Sequence, residues 1–274
     1  MSFQFSLAQL TVLKASPPEI SRIAAECGYD YVSMRQIYMG LPGEPDYDLS
    51  KNKTMMKETK QVFRDTGIKL LDIELARVYD DMDVKKYVPA METAAELGGK
   101  HILSSIWTSD KEYYIEKFGE VCDLAGQYNL TVDLEYVPVA GVKTLSEAKE
   151  VLEAVNRPNA GLMVDMHHFQ RAGDSIGDLV QIPDKWFHFC HLCDVSKEIP
   201  ANREEMTRIM REERLYVGEG GIDIAAILNA IPLRPYSIEL PNAKRVAEYG
   251  YKEHARRCLE SAKKYCSEFV TGRK

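Results

Sequence analysis

The 274-residue sequence predicts an α/β fold, a single (β/α)8 barrel spanning residues 1–274, and three observations support this fold class. Eight short runs rich in β-branched or aromatic residues alternate with longer amphipathic segments, as in a parallel sheet with helical crossovers. No low-complexity linker interrupts the series, and the length is normal for such a barrel. The alternative, an open doubly wound sheet, usually has a glycine-rich phosphate turn after its first strand, and this sequence has none there.

Strands and helices alternate along the chain. The strands are predicted at residues 3–7, 29–35, 68–76, 101–107, 130–137, 161–166, 186–194 and 236–240. The first helix is predicted to begin after Ser16, because two prolines and an early acid, Glu19, follow this capping residue. Gly28, Gly67 and Gly99 stand just before predicted strands, where a glycine commonly ends a helix.

Composition and charge exclude several classes of function. The formal net charge is -7 and the basic residues do not gather into runs, so we expect no nucleic-acid partner. No stretch approaches the roughly 18 apolar residues of a membrane span, and the first residues lack the pattern of a secretion signal. The six cysteines are scattered and are expected to be free thiols in a reducing compartment. We therefore expect a cytoplasmic protein with a small-molecule partner, and the sequence leaves a homo-oligomer open.

The segment between the last two predicted strands is longer than a simple connection. Residues 196–221 carry many charges and precede the next predicted helix. A loop after a barrel strand lies on the face where barrel enzymes have their active sites. The segment is therefore predicted to serve a site at the barrel mouth, or to form a solvated, charge-rich excursion with a short helix inside.

Four ligand-type side chains are predicted to point into the barrel. Strand residues alternate between two faces, and the apolar neighbours of Glu135, Asp165 and Glu239 place these three inward, while an inward parity is allowed for His191. Each alone would more often be a structural residue, but all four lie near the C-terminal ends of neighbouring strands. Three carboxylates so close would repel strongly unless a cation neutralised them. The set predicts one divalent ion, with Mn²⁺ expected first and Mg²⁺, Co²⁺ or Zn²⁺ as alternatives.

Other residues at strand ends have two interpretations each. Arg35 and Glu74 close the second and third strands with inward parity, and they either bind substrate or pair with other charges across the barrel mouth. Trp107, at the end of the fourth strand, either forms a wall of the pocket or plugs the barrel top. The sequence GEGG at 218–221 resembles a phosphate-binding loop before a helix, although a simple turn explains it equally well.

The chain resembles the xylose-isomerase-like barrel superfamily over essentially its whole length. The matching features are a glutamate that ends strand five (Glu135), the pattern D-x-x-H-x-x-x-x-G at 165–173, a histidine followed by an aspartate at 191–194, the pattern R-x-x-x-G-E-G-x-x-D at 214–223, and a glutamate in the last strand (Glu239). This superfamily includes sugar phosphate isomerases and epimerases, hydroxypyruvate isomerase, inosose dehydratase and 3-dehydroshikimate dehydratase.

The resemblance implies roles for particular residues. It implies that Glu135, Asp165, His191 and Glu239 bind the metal, and that two further residues reach the substrate, namely His168 and Arg214. We expect Arg214→Ala to reduce turnover at least tenfold while leaving metal content and folding intact. The superfamily also contains abasic-site endonucleases with extra histidine ligands from strands two and three, where this chain has no histidine, so a nuclease is not expected.

The function implied is that of a divalent-metal-dependent isomerase or epimerase. Its substrate would be a small sugar, keto-sugar or related polyol, and Glu135 and Glu239 would exchange a proton next to a metal-bound carbonyl. A dehydratase acting on a cyclic keto-polyol is the alternative, because it shares the first proton abstraction. A non-catalytic sugar-binding or subunit protein on the same barrel is the second alternative.

Overall fold

Eight parallel strands close into a barrel in the computed structural model, which describes residues 3–41 and 43–272. Each strand pairs with the next in sequence, and β8 pairs with β1, so the predicted fold class is confirmed. The strands are β1 Phe5–Ala8, β2 Tyr31–Arg35, β3 Lys69–Val78, β4 His101–Ile106, β5 Thr131–Glu135, β6 Ala160–Asp165, β7 Cys190–Leu192 and β8 Tyr236–Ile238.

Helices cover the outside of the barrel and connect its strands. They are α1 Pro17–Cys27, α2 Lys53–Thr66, α3 Val88–Glu96, α4 Lys111–Gly126, α5 Leu145–Val155, α6 Met166–Ala172, α7 Ile176–Leu179, α8 Arg203–Glu212, α9 Ile224–Ala230 and α10 Ala243–Phe269. Short 3-10 helices occur at Gln9–Val12, Val84–Tyr87 and Asp184–Trp186. Among the described residues, no helix is both long and apolar enough to cross a lipid bilayer.

Strand β7 is the largest correction to the predicted strands. The prediction was 186–194, but only Cys190–Leu192 is a strand, and a 3-10 helix occupies Asp184–Trp186. The neighbouring strand β6 ends at Asp165, which pairs with His191, so β7 has little partner backbone beyond that point. The chain after β7 instead forms an antiparallel bridge to the segment that follows α8.

The predicted helix termini are confirmed in α1 and α2 and displaced by one residue in α3. The Glu19 side chain accepts a hydrogen bond from the Ser16 backbone at the start of α1. Gly28 and Gly67 adopt positive φ angles of 86° and 75° after α1 and α2. After α3 the positive φ belongs to Gly98, and Gly99 instead lies against the Leu70 side chain, where a Cβ atom would approach to 2.9 Å.

Apolar side chains fill two separate regions. The larger lies between the strands and the helices, and the smaller lies inside the barrel and consists of Leu71, Leu75, Leu103, Met163 and Phe189. This inner cluster is a short plug, so the C-terminal end of the barrel is left to polar side chains. The closed barrel therefore positions a polar site at that end.

Candidate metal centre

Glu135, Asp165, His191 and Glu239 converge at the C-terminal end of the barrel, and all four are buried. One ligand atom from each lies within 4.8 Å of every other. His191 Nδ1 lies 3.4 Å from Glu135 Oε1, 3.6 Å from Asp165 Oδ2 and 3.4 Å from Glu239 Oε2. The structure thus brings together the four residues that were predicted as ligands.

The imidazole among the three carboxylates has no hydrogen-bond partner among the described residues, on either ring nitrogen. Glu135 Oε1 is also buried and unpaired in the described part of the chain. Buried polar atoms without partners are costly and rare. Ligand atoms on one ion, each bonded at about 2.1 Å, stand apart by distances of this order. The donor set of His191 and three carboxylates therefore fits a divalent cation.

The charges around His191 favour the ionised form of its neighbours. Burial alone would lower the pKa of His191, but Glu239 and the other carboxylates raise it well above its ordinary value. Burial would raise the pKa of Glu239, but His191 and the Arg214 guanidinium lower it to about 2. A carboxylate that stays ionised at neutral pH is the form that a cation binds.

Asp165 has two separate roles because it ends β6 and begins α6. Its Oδ1 accepts hydrogen bonds from the backbone N–H groups of His167 (2.7 Å) and His168 (3.2 Å), which caps the helix. Its Oδ2 is thereby directed towards His191. The cap fixes the orientation of the carboxylate, and strand alternation alone does not predict this helix-capping role of Asp165.

Arg214 is only 1% exposed, which excludes a solvated arginine in a charged surface run. Its Nη1 lies 2.6 Å from Asp165 Oδ2 and its Nη2 lies 2.9 Å from Glu239 Oε2. Its Nε donates to the carbonyl of Met210 at the end of α8. The guanidinium therefore holds two of the four carboxyl groups in place while it also lines the cavity above them. Its contact with substrate stays a prediction.

A cavity of about 670 Å³ opens above the four residues, a size within the usual range for small-molecule sites. Its lining includes the candidate residues Arg35, Glu74, Trp107, Glu135, His168, Arg214 and Glu239. His168 is buried, and its Nε2 lies 3.8 Å from Glu135 Oε1. All the predicted site residues except Asp165 and His191 therefore line this one cavity. Asp165 and His191 lie beneath it.

Arg35 and Glu74 pair with each other at the wall of this cavity. Arg35 Nε lies 3.2 Å from Glu74 Oε2, and its Nη1 lies 3.7 Å from Glu44 Oε1. Burial raises the pKa of Glu74, Arg35 opposes this, and Glu239 adds to it. Trp107 also lines the cavity, with its Nε1 donating to Ser105 at 2.8 Å, so the structure places it as a wall.

Glu44, Arg77 and Arg211 are among the charged cavity residues that strand alternation did not identify. Arg77 was missed because the pairing of β3 with β4 shifts register between Ile73 and Ala76. A bulge of this kind changes which residues face inward, so strict alternation from Glu74 gives the wrong parity. Arg211 precedes the pattern at 214–223, so no motif identified it.

The segment 196–221 contains α8 and contributes to the mouth of the cavity. Met210, Arg211 and Glu212 line the cavity from the end of this helix. Arg203, at its start, donates a hydrogen bond to the carbonyl of Val139 in the loop after β5. The segment thus lies over the C-terminal face of the barrel and is anchored to a neighbouring loop.

The glycine-rich sequence at 218–221 does not present free amides to a phosphate. The carboxylate of Asp194 already accepts hydrogen bonds from the backbone N–H groups of Gly218 (3.1 Å), Gly220 (2.9 Å) and Ile222 (3.2 Å). An internal carboxylate takes the place that a phosphate would occupy in a binding loop. Of the two interpretations of this motif, the structure favours the turn.

The named relatives of this chain include an isomerase and a dehydratase. Inosose isomerase from Bacillus velezensis is 27% identical over 221 residues, which cover 74% of each chain. 3-Dehydroshikimate dehydratase from Bacillus anthracis is 28% identical over 87 residues, which cover 32% of this chain and 31% of that protein.

Solved structures share the fold of this chain. The IolI protein with a bound zinc atom superimposes with a TM-score of 0.82 at 22% identity, covering 98% of this chain and 100% of that one. D-Allulose 3-epimerase from Methylomonas sp. superimposes with a TM-score of 0.69 at 16% identity, covering 96% of each chain. The family described as the xylose isomerase-like TIM barrel matches residues 21–262. The chain therefore belongs to the xylose isomerase-like TIM barrel family.

Proposed function

We propose that this chain is a divalent-metal-dependent isomerase or epimerase of a small sugar, keto-sugar or related polyol. The observation that carries the proposal is His191 Nδ1, buried among three carboxylates and without a hydrogen bond in the described part of the chain, at the floor of a 670 Å³ cavity. The isomerase and epimerase among the similar proteins support this class of reaction, and the zinc atom of the IolI structure supports a metal.

In this proposal the ion is held by Glu135, Asp165, His191 and Glu239. A divalent ion in such a site supplies Lewis acidity, which makes the C–H bond next to a carbonyl more acidic. Arg214 keeps two of the carboxyl groups oriented through its contacts of 2.6 and 2.9 Å. We place Mn²⁺ first, with Mg²⁺, Co²⁺ and Zn²⁺ as alternatives.

Glu135 and Glu239 are the proposed acid and base. Glu135 ends β5 and Glu239 follows β8, so the two carboxylates reach the site from strands separated by β6 and β7. One removes the proton next to the carbonyl, and a proton returned from the other side gives an epimer. His168, beside Glu135, is proposed to hold a substrate oxygen.

Two alternatives start from the same residues. A dehydratase would begin with the same proton abstraction and then lose a β-hydroxyl group, and the partial likeness to 3-dehydroshikimate dehydratase supports keeping it. A non-catalytic sugar-binding or subunit protein is the second alternative. It is disfavoured because a binding protein has no need for a buried imidazole that lies among three carboxylates and has no hydrogen-bond partner in the described part of the chain.

The experiment that tests the proposal is incubation of the protein, loaded with Mn²⁺ and in a parallel sample with Zn²⁺, with a panel of ketoses and keto-polyols in D2O, followed by NMR. Deuterium that enters next to the carbonyl with the carbon skeleton kept is the expected result. Loss of water with a new conjugated absorbance would replace the proposal with the dehydratase. Glu135→Gln and Glu239→Gln should abolish either change, and no reaction with any compound would favour the non-catalytic protein.

A further inference from the structure

Two arginines that line the cavity, Arg77 and Arg211, form no ion pair with a carboxylate among the described residues. Arg77 lies over the ring of Trp107 with its guanidinium carbon 4.6 Å from the ring centroid. Its Nε is buried and has no hydrogen-bond partner among the described residues. Arg211, at the end of α8, likewise forms no ion pair or side-chain hydrogen bond within the described part of the chain. Both are half-buried and face the space above the four candidate ligands.

The other arginines of the cavity differ from these two because each has carboxylate partners. Arg35 pairs with Glu74 at 3.2 Å, and Arg214 pairs with Asp165 at 2.6 Å. Glu74, Asp165 and Glu239 are thus already paired. Glu44 attracts Arg77 and Arg211, and Glu212 attracts Arg211, without forming an ion pair with either in the described part of the chain. A guanidinium that keeps its charge after partial desolvation and lacks a partner carries an unfavourable free energy.

The three guanidinium groups at this side of the cavity also repel one another. Burial lowers the pKa of Arg77, and the charges of Arg35 and Arg211 lower it further. Burial lowers the pKa of Arg211 as well, again with Arg35 contributing. Glu44 opposes this repulsion at both side chains and Glu212 opposes it at Arg211. Neither acid forms an ion pair with Arg77 or Arg211 among the described residues, so positive charge stays concentrated here although the net charge is -7. A bound anion would remove that repulsion.

We propose that Arg77 and Arg211 bind an anionic group of the substrate, a carboxylate or a phosphate, and that the substrate is therefore an acidic keto-polyol rather than a neutral sugar. The planar guanidinium suits both groups because it donates two parallel hydrogen bonds to their oxygens. Trp107 fixes the plane of Arg77 by stacking. This inference rests on the proposed function, in which the carbonyl end of the same substrate lies at the four ligands.

Binding of inorganic phosphate tests the site without any organic skeleton. In a Trp186→Phe background, Trp107 is the single tryptophan and its fluorescence reports on the stacked guanidinium. Phosphate should change this fluorescence saturably, and Arg77→Met combined with Arg211→Met should weaken binding at least tenfold. Arg208→Met is the matched control, because Arg208 lies on the same helix but is exposed and paired with Glu205 and Glu213. The absence of a saturable change, or equal binding by the double variant, would overturn the proposal.

Matched compounds then distinguish the two sources of the anion. Calorimetric binding to the Zn²⁺-loaded protein compares fructose with fructose 6-phosphate, and inosose with 3-dehydroshikimate. The charged compound of at least one pair should bind at least tenfold more tightly than its neutral counterpart. Arg77→Met should lose this preference and Arg77→Lys should keep part of it. The control Arg208→Met should retain it in full. Turnover of a neutral ketose with no preference for charge would refute this inference while leaving the proposed function intact. A preference for charge without proton exchange would refute only the proposed function.

Discussion

Arg214 illustrates what a sequence motif leaves open at the scale of a single residue. It stands in a run of four charged residues, 211–214, so a solvated surface position was a reasonable alternative. The structure buries it because its backbone N–H donates to the carbonyl of Pro241 and its own carbonyl accepts from Asn242, which draws the chain against the barrel. The buried guanidinium then contacts Asp165 and Glu239. Tertiary contacts of this kind have no local sequence signal.

The burial of Arg214 changes the expected effect of replacing it. Arg214→Met would leave Asp165 and Glu239 as buried carboxylates without their partner, so metal-free protein should lose about 3 kcal/mol of unfolding free energy at pH 7. The stability of the fold is therefore expected to fall, whereas the motif alone implied that folding is unaffected. Urea unfolding of the chelator-treated protein measures the difference, and Arg208→Met should stay within about 0.5 kcal/mol of wild type.

The pH dependence of this loss has a definite sign. Burial opposes ionisation of Asp165 and Glu239, but Arg214 and His191 hold both pKa values below their ordinary range in the folded protein. A depressed carboxyl pKa stabilises the fold above the unfolded-state value of about 4, and this stabilisation disappears as the pH falls through the folded-state value. The difference in unfolding free energy between wild type and Arg214→Met should therefore become smaller below about pH 4. A gap that is constant from pH 7 to pH 3 would contradict the ion pairs.

At the scale of elements, alternation identified the eight strands but not their irregularities. The inward positions of Glu135 and Asp165 followed from regular strands β5 and β6, where alternation applies directly. The inward position of Arg77 did not follow from alternation. The register shift in β3 is produced by its pairing with β4 rather than by the local sequence. The shortening of β7 has a similar cause, since strand length depends on how far the neighbouring strand continues.

The turn at 218–221 is an element whose sequence is explained by contacts within the protein. A Cβ atom on Gly220 would lie 2.2 Å from both Asp194 Oδ1 and the carbonyl oxygen of Val195. The absence of a side chain therefore lets the Asp194 carboxylate accept hydrogen bonds from the backbone N–H groups of Gly218, Gly220 and Ile222.

Substitution of Gly220 tests this explanation. Gly220→Ala should cost about 2 kcal/mol of unfolding free energy, because backbone and the Asp194 carboxylate must move to admit the methyl group. Gly119→Ala is the control, since Gly119 lies within α4 and its added Cβ would meet no atom closer than 3.8 Å. That variant should be neutral or slightly stabilised. Equal effects of the two substitutions, measured by thermal and urea unfolding, would show that the close approach at Gly220 is unimportant.

At the scale of the whole molecule, barrel closure explains why the candidate ligands could be selected in advance. The order of parallel strands in a barrel follows the sequence, so residues at the ends of strands five to eight must meet at one mouth. The cavity residues supplied by α8 and by the loop after β2 could not be selected this way, because loops have no fixed register. Among the cavity arginines, Arg211 and Arg214 come from this less predictable part, whereas Arg35 and Arg77 belong to strands β2 and β3.

The central claim is that one divalent ion is held by Glu135, Asp165, His191 and Glu239. Its most direct test is elemental analysis by plasma mass spectrometry of protein loaded with Mn²⁺ or Zn²⁺ and then desalted. Wild type and Glu74→Gln, which removes a buried carboxylate of the same cavity outside the four ligands, should each retain about one ion per chain. Glu239→Gln and Asp165→Asn should retain less than about a tenth of an ion. Wild-type protein that retains no ion after loading, or Glu239→Gln protein that retains as much as wild type, would contradict the claim.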